Sequence, residues 1–172
     1  MDNLTSRKAF LKKVFVFSTG ISLVPNLVLS QKKETPPQID PKTVYEFVKI
    51  AHSDFNKVNE MVKEQPLLLN ASWDWGNGDF ETALGAAAHM GLKETANFLI
   101  SLGARTDIFA LTMLGKTDIV KALLKAYPNL LNSKGPHGFT LLHHAEKGGK
   151  EAEKLLKHLQ KLGLSETFIK LN

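Results

Sequence analysis

Between positions 40 and 170, apolar residues recur at helical spacing in short bursts, each closed by glycine, proline or asparagine. Val44, Phe47, Val48 and Ala51 fall at i, i+3, i+4 and i+7, one face of a helix. Asp40-Pro41 marks its start, an acidic N-cap followed by proline where a missing N–H costs nothing. After His52-Ser53 a second helix is predicted from Asp54, with Phe55, Val58, Met61 and Val62 inward, ending before Pro66. A third and fourth follow a turn-rich stretch from Trp73, the latter over 91–100 and closed by Gly103, which suits the left-handed position past a helix end. The pattern continues over 108–115 and 118–124. After a turn at Gly135-Pro136-His137-Gly138, whose two glycines are expected to supply the positive φ angles, it resumes at Thr140. The last helix is predicted over 150–161, burying Leu155, Leu156, Leu159 and Leu162. Phe168 and Ile169 of the tail are expected to cover the open end of the assembly.

The pattern repeats. Pro66-Leu67-Leu68-Leu69-Asn70 returns 62 positions later as Pro128-Asn129-Leu130-Leu131-Asn132, and Val58 and Val62 match Val120 and Leu124 at the same offset. Thr82-Ala83-Leu84-Gly85-Ala86-Ala87, then Gly91, parallels Thr140-Leu141-Leu142-His143-His144-Ala145, then Gly149. Both resemble the T-P-L-H-x-A opening of an ankyrin repeat, and the 91–104 stretch resembles that family's G-H-x-E-I-V-x-L-L-L-x-x-G-A. The resemblance spans about 41–163. It implies an all-α solenoid, an ankyrin-like stack of about four helix pairs with one or two β-hairpins. Lys93 matches Thr117 at a spacing of 24 rather than the roughly 33 of the family, so the third repeat is truncated by its hairpin. Each pair leaves an apolar flank that only a neighbour covers, so stability is shared along the stack.

Ahead of the repeats, a basic segment (Arg7, Lys8, Lys12, Lys13) precedes an apolar run over 14–29 that contains Pro25. This is the pattern of a signal peptide, with a cut expected near Ser30, and the run is short for the ~20 apolar residues of a membrane span. Ser-Arg-Lys-x-Phe-Leu-Lys resembles the twin-arginine export motif, with Lys8 in place of the second arginine; general secretion is the rival route. The organisation read from this is a signal peptide at 1–30, a charged, proline-bearing linker at 31–39, and a repeat domain at 40–172. The location implied is periplasmic or secreted, with no membrane association once the leader is removed. The net charge of +5 shrinks to +2 beyond residue 30, which gives no case for a nucleic-acid partner. The absence of cysteine excludes disulfides, thiolate nucleophiles and cysteine-based zinc sites.

Candidate chemistry collects in the first hairpin. Asn70 to Thr82 spans twelve positions where Asn132 to Thr140 spans eight. The insertion carries both tryptophans and three carboxylates: Trp73, Asp74, Trp75, Asp79, Phe80 and Glu81. The ankyrin resemblance implies recognition through hairpin tips and the inner-helix groove, and these residues with His89, His137 and Phe139 form the expected binding surface. Its occupant is a protein partner first and a small ligand second; no cofactor, metal or catalytic residue is assigned. Two alternatives stay open. Trp73 and Trp75 fill the space of the missing third hairpin, since alternate strand residues point one way. Or Asp79, Glu81, His89 and His137 converge as a metal or acid/base site of a small hydrolase. His143 takes the family histidine's place, which implies a bond to the hairpin backbone; Gly85 replaces it in the second unit. His144, turned about 100° from His143 on a helix, is not expected to chelate with it.

Overall fold

The computed structural model describes residues 36–171; the expected leader, its export-like motif and most of the expected linker lie outside them. The described chain is largely helical with a small two-stranded sheet. In chain order it contains α1 (Pro41–Ile50), α2 (Phe55–Glu64), β1 (Ser72–Asp74), β2 (Phe80–Thr82), α3 (Ala83–Met90) and α4 (Lys93–Ser101). Then come α5 (Ile108–Met113), α6 (Thr117–Ala126), α7 (Leu141–Gly148) and α8 (Glu153–Lys161). No helix among the described residues is long and apolar enough to cross a membrane.

Helix starts follow the side chains that can accept the orphan first-turn N–H groups. The carboxylates of Asp40, Asp54 and Asp107 accept from Lys42, Lys57 and Ala110, and the Thr82 hydroxyl accepts from Gly85. Glycines in the left-handed region close α3 and α5, at Gly91 and Gly115. The matched phrases Pro66–Asn70 and Pro128–Asn132 are both single 3-10 turns that turn the chain out of α2 and α6. Val44, Phe47, Val48 and Ala51 are buried as their spacing predicts. On α8 the inward face is narrower than expected: Leu155 and Leu159 are fully buried, while Leu162, past the helix end, is 46% exposed.

α1 packs against α3, α3 against α5, and α5 against α7. One apolar cluster runs from Val44 to Met113 and a second from Ile108 to Leu164. α5 is only six residues long and follows α4 with no strand between them. α3 and α7 therefore touch directly as well. Beside this connection lies a cavity of about 260 Å³ bordered by Phe80, Asp107, Phe109, Lys134 and Pro136.

Three expectations are corrected. Trp73 and Trp75 do not fill that space: both turn the other way, edge-on to Tyr45 of α1, with ring centroids 5.3 and 5.7 Å away. The final turn builds no second strand pair: Gly135 N–H donates to the Phe139 carbonyl across it at 2.8 Å, and its positive φ angles fall on Gly138 and His137, Gly135 lying at −78°. The tail buries less than expected. Its backbone pairs with the unsatisfied groups of that turn, Ile169 N–H donating to the Gly138 carbonyl and Phe139 bridging Phe168, which leaves Phe168 53% exposed.

Candidate metal centre

The enlarged hairpin is an antiparallel ribbon in which Trp73 faces Glu81. Its loop turns through Gly76, Asn77 and Gly78, all at positive φ, with Asp74 accepting from Gly76 N–H at 2.8 Å. Strand alternation sends Phe80 outward, 62% exposed, and Glu81 inward, 1% exposed. A carboxylate this deep needs partners. Trp75 supplies one, its indole N–H donating to Glu81 Oε2 at 2.8 Å.

Three imidazoles supply the rest. His89, in the last turn of α3 and buried, places Nε2 3.0 Å from Glu81 Oε1. His52 lies just past α1; its Nδ1–H donates to the carbonyls of Val48 (3.0 Å) and Lys49 (3.1 Å), which leaves Nε2, 3.4 Å from Glu81 Oε2, as the lone-pair nitrogen. His137 is held by one carboxylate at two points: its backbone N–H and its Nδ1–H donate to Asp79 at 2.9 and 2.8 Å. Its Nε2 also lies 3.4 Å from Glu81 Oε2. A non-glycine residue at φ 60° is uncommon and needs such anchoring.

The arrangement is electrically incomplete. Burial drives the Glu81 carboxyl upward, yet the imidazoles of His52 and His89 outweigh it and hold the group at about 2. The Glu81 contact in turn raises His52 against its own burial. With neutral rings, the Nε2 lone pairs of His52 and His137 would face an anion whose Oε2 already accepts from Trp75. Glu81 Oε1 and His89 Nε2 are buried and face each other at 3.0 Å with no further partner. A cation at the centre, proton or metal, removes the conflict.

The donor geometry suits a metal. One atom each from His52, Glu81, His89 and His137 lies within 4.8 Å of the others. Bonds of about 2.0–2.1 Å in a tetrahedral site place ligands ~3.3 Å apart, and the nitrogen–carboxylate separations are 3.0, 3.4 and 3.4 Å. The widest donors must draw in under the ~4.2 Å that two such bonds span, a small shift for the partly exposed His52 and His137 rings. The outer partners are those that orient metal ligands: carboxylate on His137, backbone carbonyls on His52, indole on Glu81.

Of the residues expected from sequence, Asp79, Glu81, His89 and His137 do converge, and His52, which sequence reasoning passed over, completes them. Trp75 belongs to the site through its N–H. Phe139 backs it, stacked on His89 (5.2 Å) and on His143 (4.0 Å). Trp73 only packs on Tyr45, and Asp74 and Phe80 stay outside on the exposed hairpin face. His143 bonds the His89 carbonyl at 2.9 Å, not the backbone of a hairpin, because α7 touches α3 directly. His144 points elsewhere, Nδ1–H donating to Thr140 O at 2.8 Å.

No family model matches the chain, and no curated protein or solved structure matches it significantly.

Proposed function

We propose that the protein is an exported, ankyrin-like module whose groove binds one divalent transition-metal ion through Nε2 of His52, His89 and His137 and the carboxylate of Glu81. The observation that carries this is three ring nitrogens from three separate parts of the chain around one buried, ionised carboxylate. Three nitrogens and one oxygen, with no sulfur, favour zinc or copper(II) over calcium or magnesium. The ankyrin-like reading is supported by Thr82 and Thr140, which open α3 and α7, by the paired 3-10 exits, and by the succession α1, α3, α5, α7. Export rests on the basic and apolar leader alone.

This reading favours a metal over a docked protein as the occupant of the groove, because Trp73 and Trp75 pack against Tyr45. Purified chain titrated with Zn²⁺ in a calorimeter is expected to take up one ion. Cu²⁺ should quench tryptophan fluorescence at the same stoichiometry, because Trp75 lies 6.0 Å from His52 and 5.8 Å from His137. His89→Ala should remove both signals while the far-UV helical signal persists. Uptake that is absent in the parent chain, or unchanged in the variant, overturns the assignment.

A further inference from the structure

A metal enclosed on all sides by protein is structural, whereas one with a free coordination position exchanges ligands. The four donors are not equally covered. The side chains of Glu81 and His89 are 0% and 6% exposed, those of His52 and His137 23% and 29%. The covered side is closed by Phe139 stacked on His89 and by α3 itself. The open side lies between two imidazoles, and one aromatic ring borders both. The Trp75 centroid stands 6.0 Å from His52 and 5.8 Å from His137, and its N–H bond to Glu81 fixes the rotation of the indole. Tyr45 packs edge-on against that indole, centroids 5.7 Å apart, and holds it there.

We infer that the bound ion keeps one exchangeable position between His52 and His137, and that this position takes a small monoanionic oxygen donor, a carboxylate, whose flat apolar body lies along Trp75. This rests on the metal-binding reading above. One carboxylate in direct contact leaves a divalent ion with a single positive charge to neutralise, which a monoanion does. Water occupies the position when no such anion is present, and a bound cation makes that water more acidic. Zinc and cobalt(II) both accommodate a fifth ligand, so the anion need not displace a histidine.

The test uses the full chain loaded with Co²⁺, whose visible absorption reports coordination number. Acetate and benzoate are expected to shift and weaken the bands, and raising the pH in their absence should shift them as bound water ionises. Benzoate should bind about tenfold more tightly than acetate, the scale of one favourable aromatic contact. Trp75→Leu should bring the two carboxylates to parity. Failure to bind Co²⁺ at all sinks the metal reading itself. Co²⁺ bound with a spectrum indifferent to both carboxylates and to pH leaves that reading standing and overturns the open position. Equal affinity for acetate and benzoate in the parent protein overturns the aromatic wall.

Discussion

Five of the six histidines crowd one side of this molecule, and they divide into two regions of opposite character. His52, His89 and His137 surround Glu81. His143 and His144 follow each other at the start of α7, and each spends a ring nitrogen on a backbone carbonyl. In the first region the nitrogens left over face a carboxylate; in the second, the remaining His144 nitrogen is buried with no partner, its ring 5.1 Å from Phe109. The titrations diverge accordingly. Glu81 raises His52, while burial pulls His144 down to about 4. Histidine alone therefore marks no site. The carboxylate that a ring nitrogen meets decides what it does.

The sharpest way to break the contrast is to discharge its centre. Glu81→Gln keeps the shape and an acceptor for Trp75 but removes the charge, and should weaken Zn²⁺ binding at least about 100-fold by calorimetric titration, beyond the 10–100-fold typical of outer partners. Asp79→Asn belongs to that outer group and is expected to cost about 10–100-fold, with the remaining ligands intact. An unchanged affinity in either variant means the ion sits elsewhere.

Proton linkage sharpens the comparison without metal. His52 has a folded pKa above its unfolded 6.5, so its contribution to stability is full below pH 6.5 and is lost as pH rises through the raised value. The stability gap between the metal-free parent and His52→Gln should therefore close on going alkaline, as followed by urea denaturation at stepped pH. Zn²⁺ should reopen the gap there, since a neutral ring binds metal best. His144 runs the other way. Its folded pKa lies near 4, so the neutral buried ring contributes fully above pH 6.5 and progressively less as pH falls toward 4.

The smallest effect is expected from His144→Leu. Metal affinity should stay within about twofold, because His144 lies outside the ligand set. The exchange loses one hydrogen bond, worth about 1 kcal/mol, and removes a buried nitrogen that has no partner. Stability should change by no more than about 1 kcal/mol at pH 7, and the variant should lose less than the parent on acidification. A large drop in zinc affinity would instead merge the two histidine regions into one.

Much of this was legible in the sequence. The helical spacing of Val44, Phe47 and Val48, the caps at Asp40 and Asp54, and the paired exits at Pro66 and Pro128 all read locally, and local chemistry decides them. The insertion before Thr82 pointed to Asp79 and Glu81, and His89 and His137 could be set beside them. His52 could not, because its role depends on a hairpin 29 positions away folding across the end of α1. One signal was available: at the offsets that match Val58 with Val120 and Gly91 with Gly115, Met90 and Leu114 stand where His52 does, so a polar ring there breaks an apolar pattern. The direction of the tryptophans was equally illegible, since strand alternation says that Trp73 and Trp75 share a face but not whether Tyr45 or the empty space receives it.

The abrupt passage from α4 into α5 has a consequence for the cluster. Strands sit about 4.8 Å apart, so a hairpin inserted ahead of Ile108 would wedge at least one strand spacing between Asp79 and His137, which now touch. The direct α4–α5 connection and the long first hairpin together let two remote turns meet. Adding strands at that one connection should silence the cluster without altering any of its members.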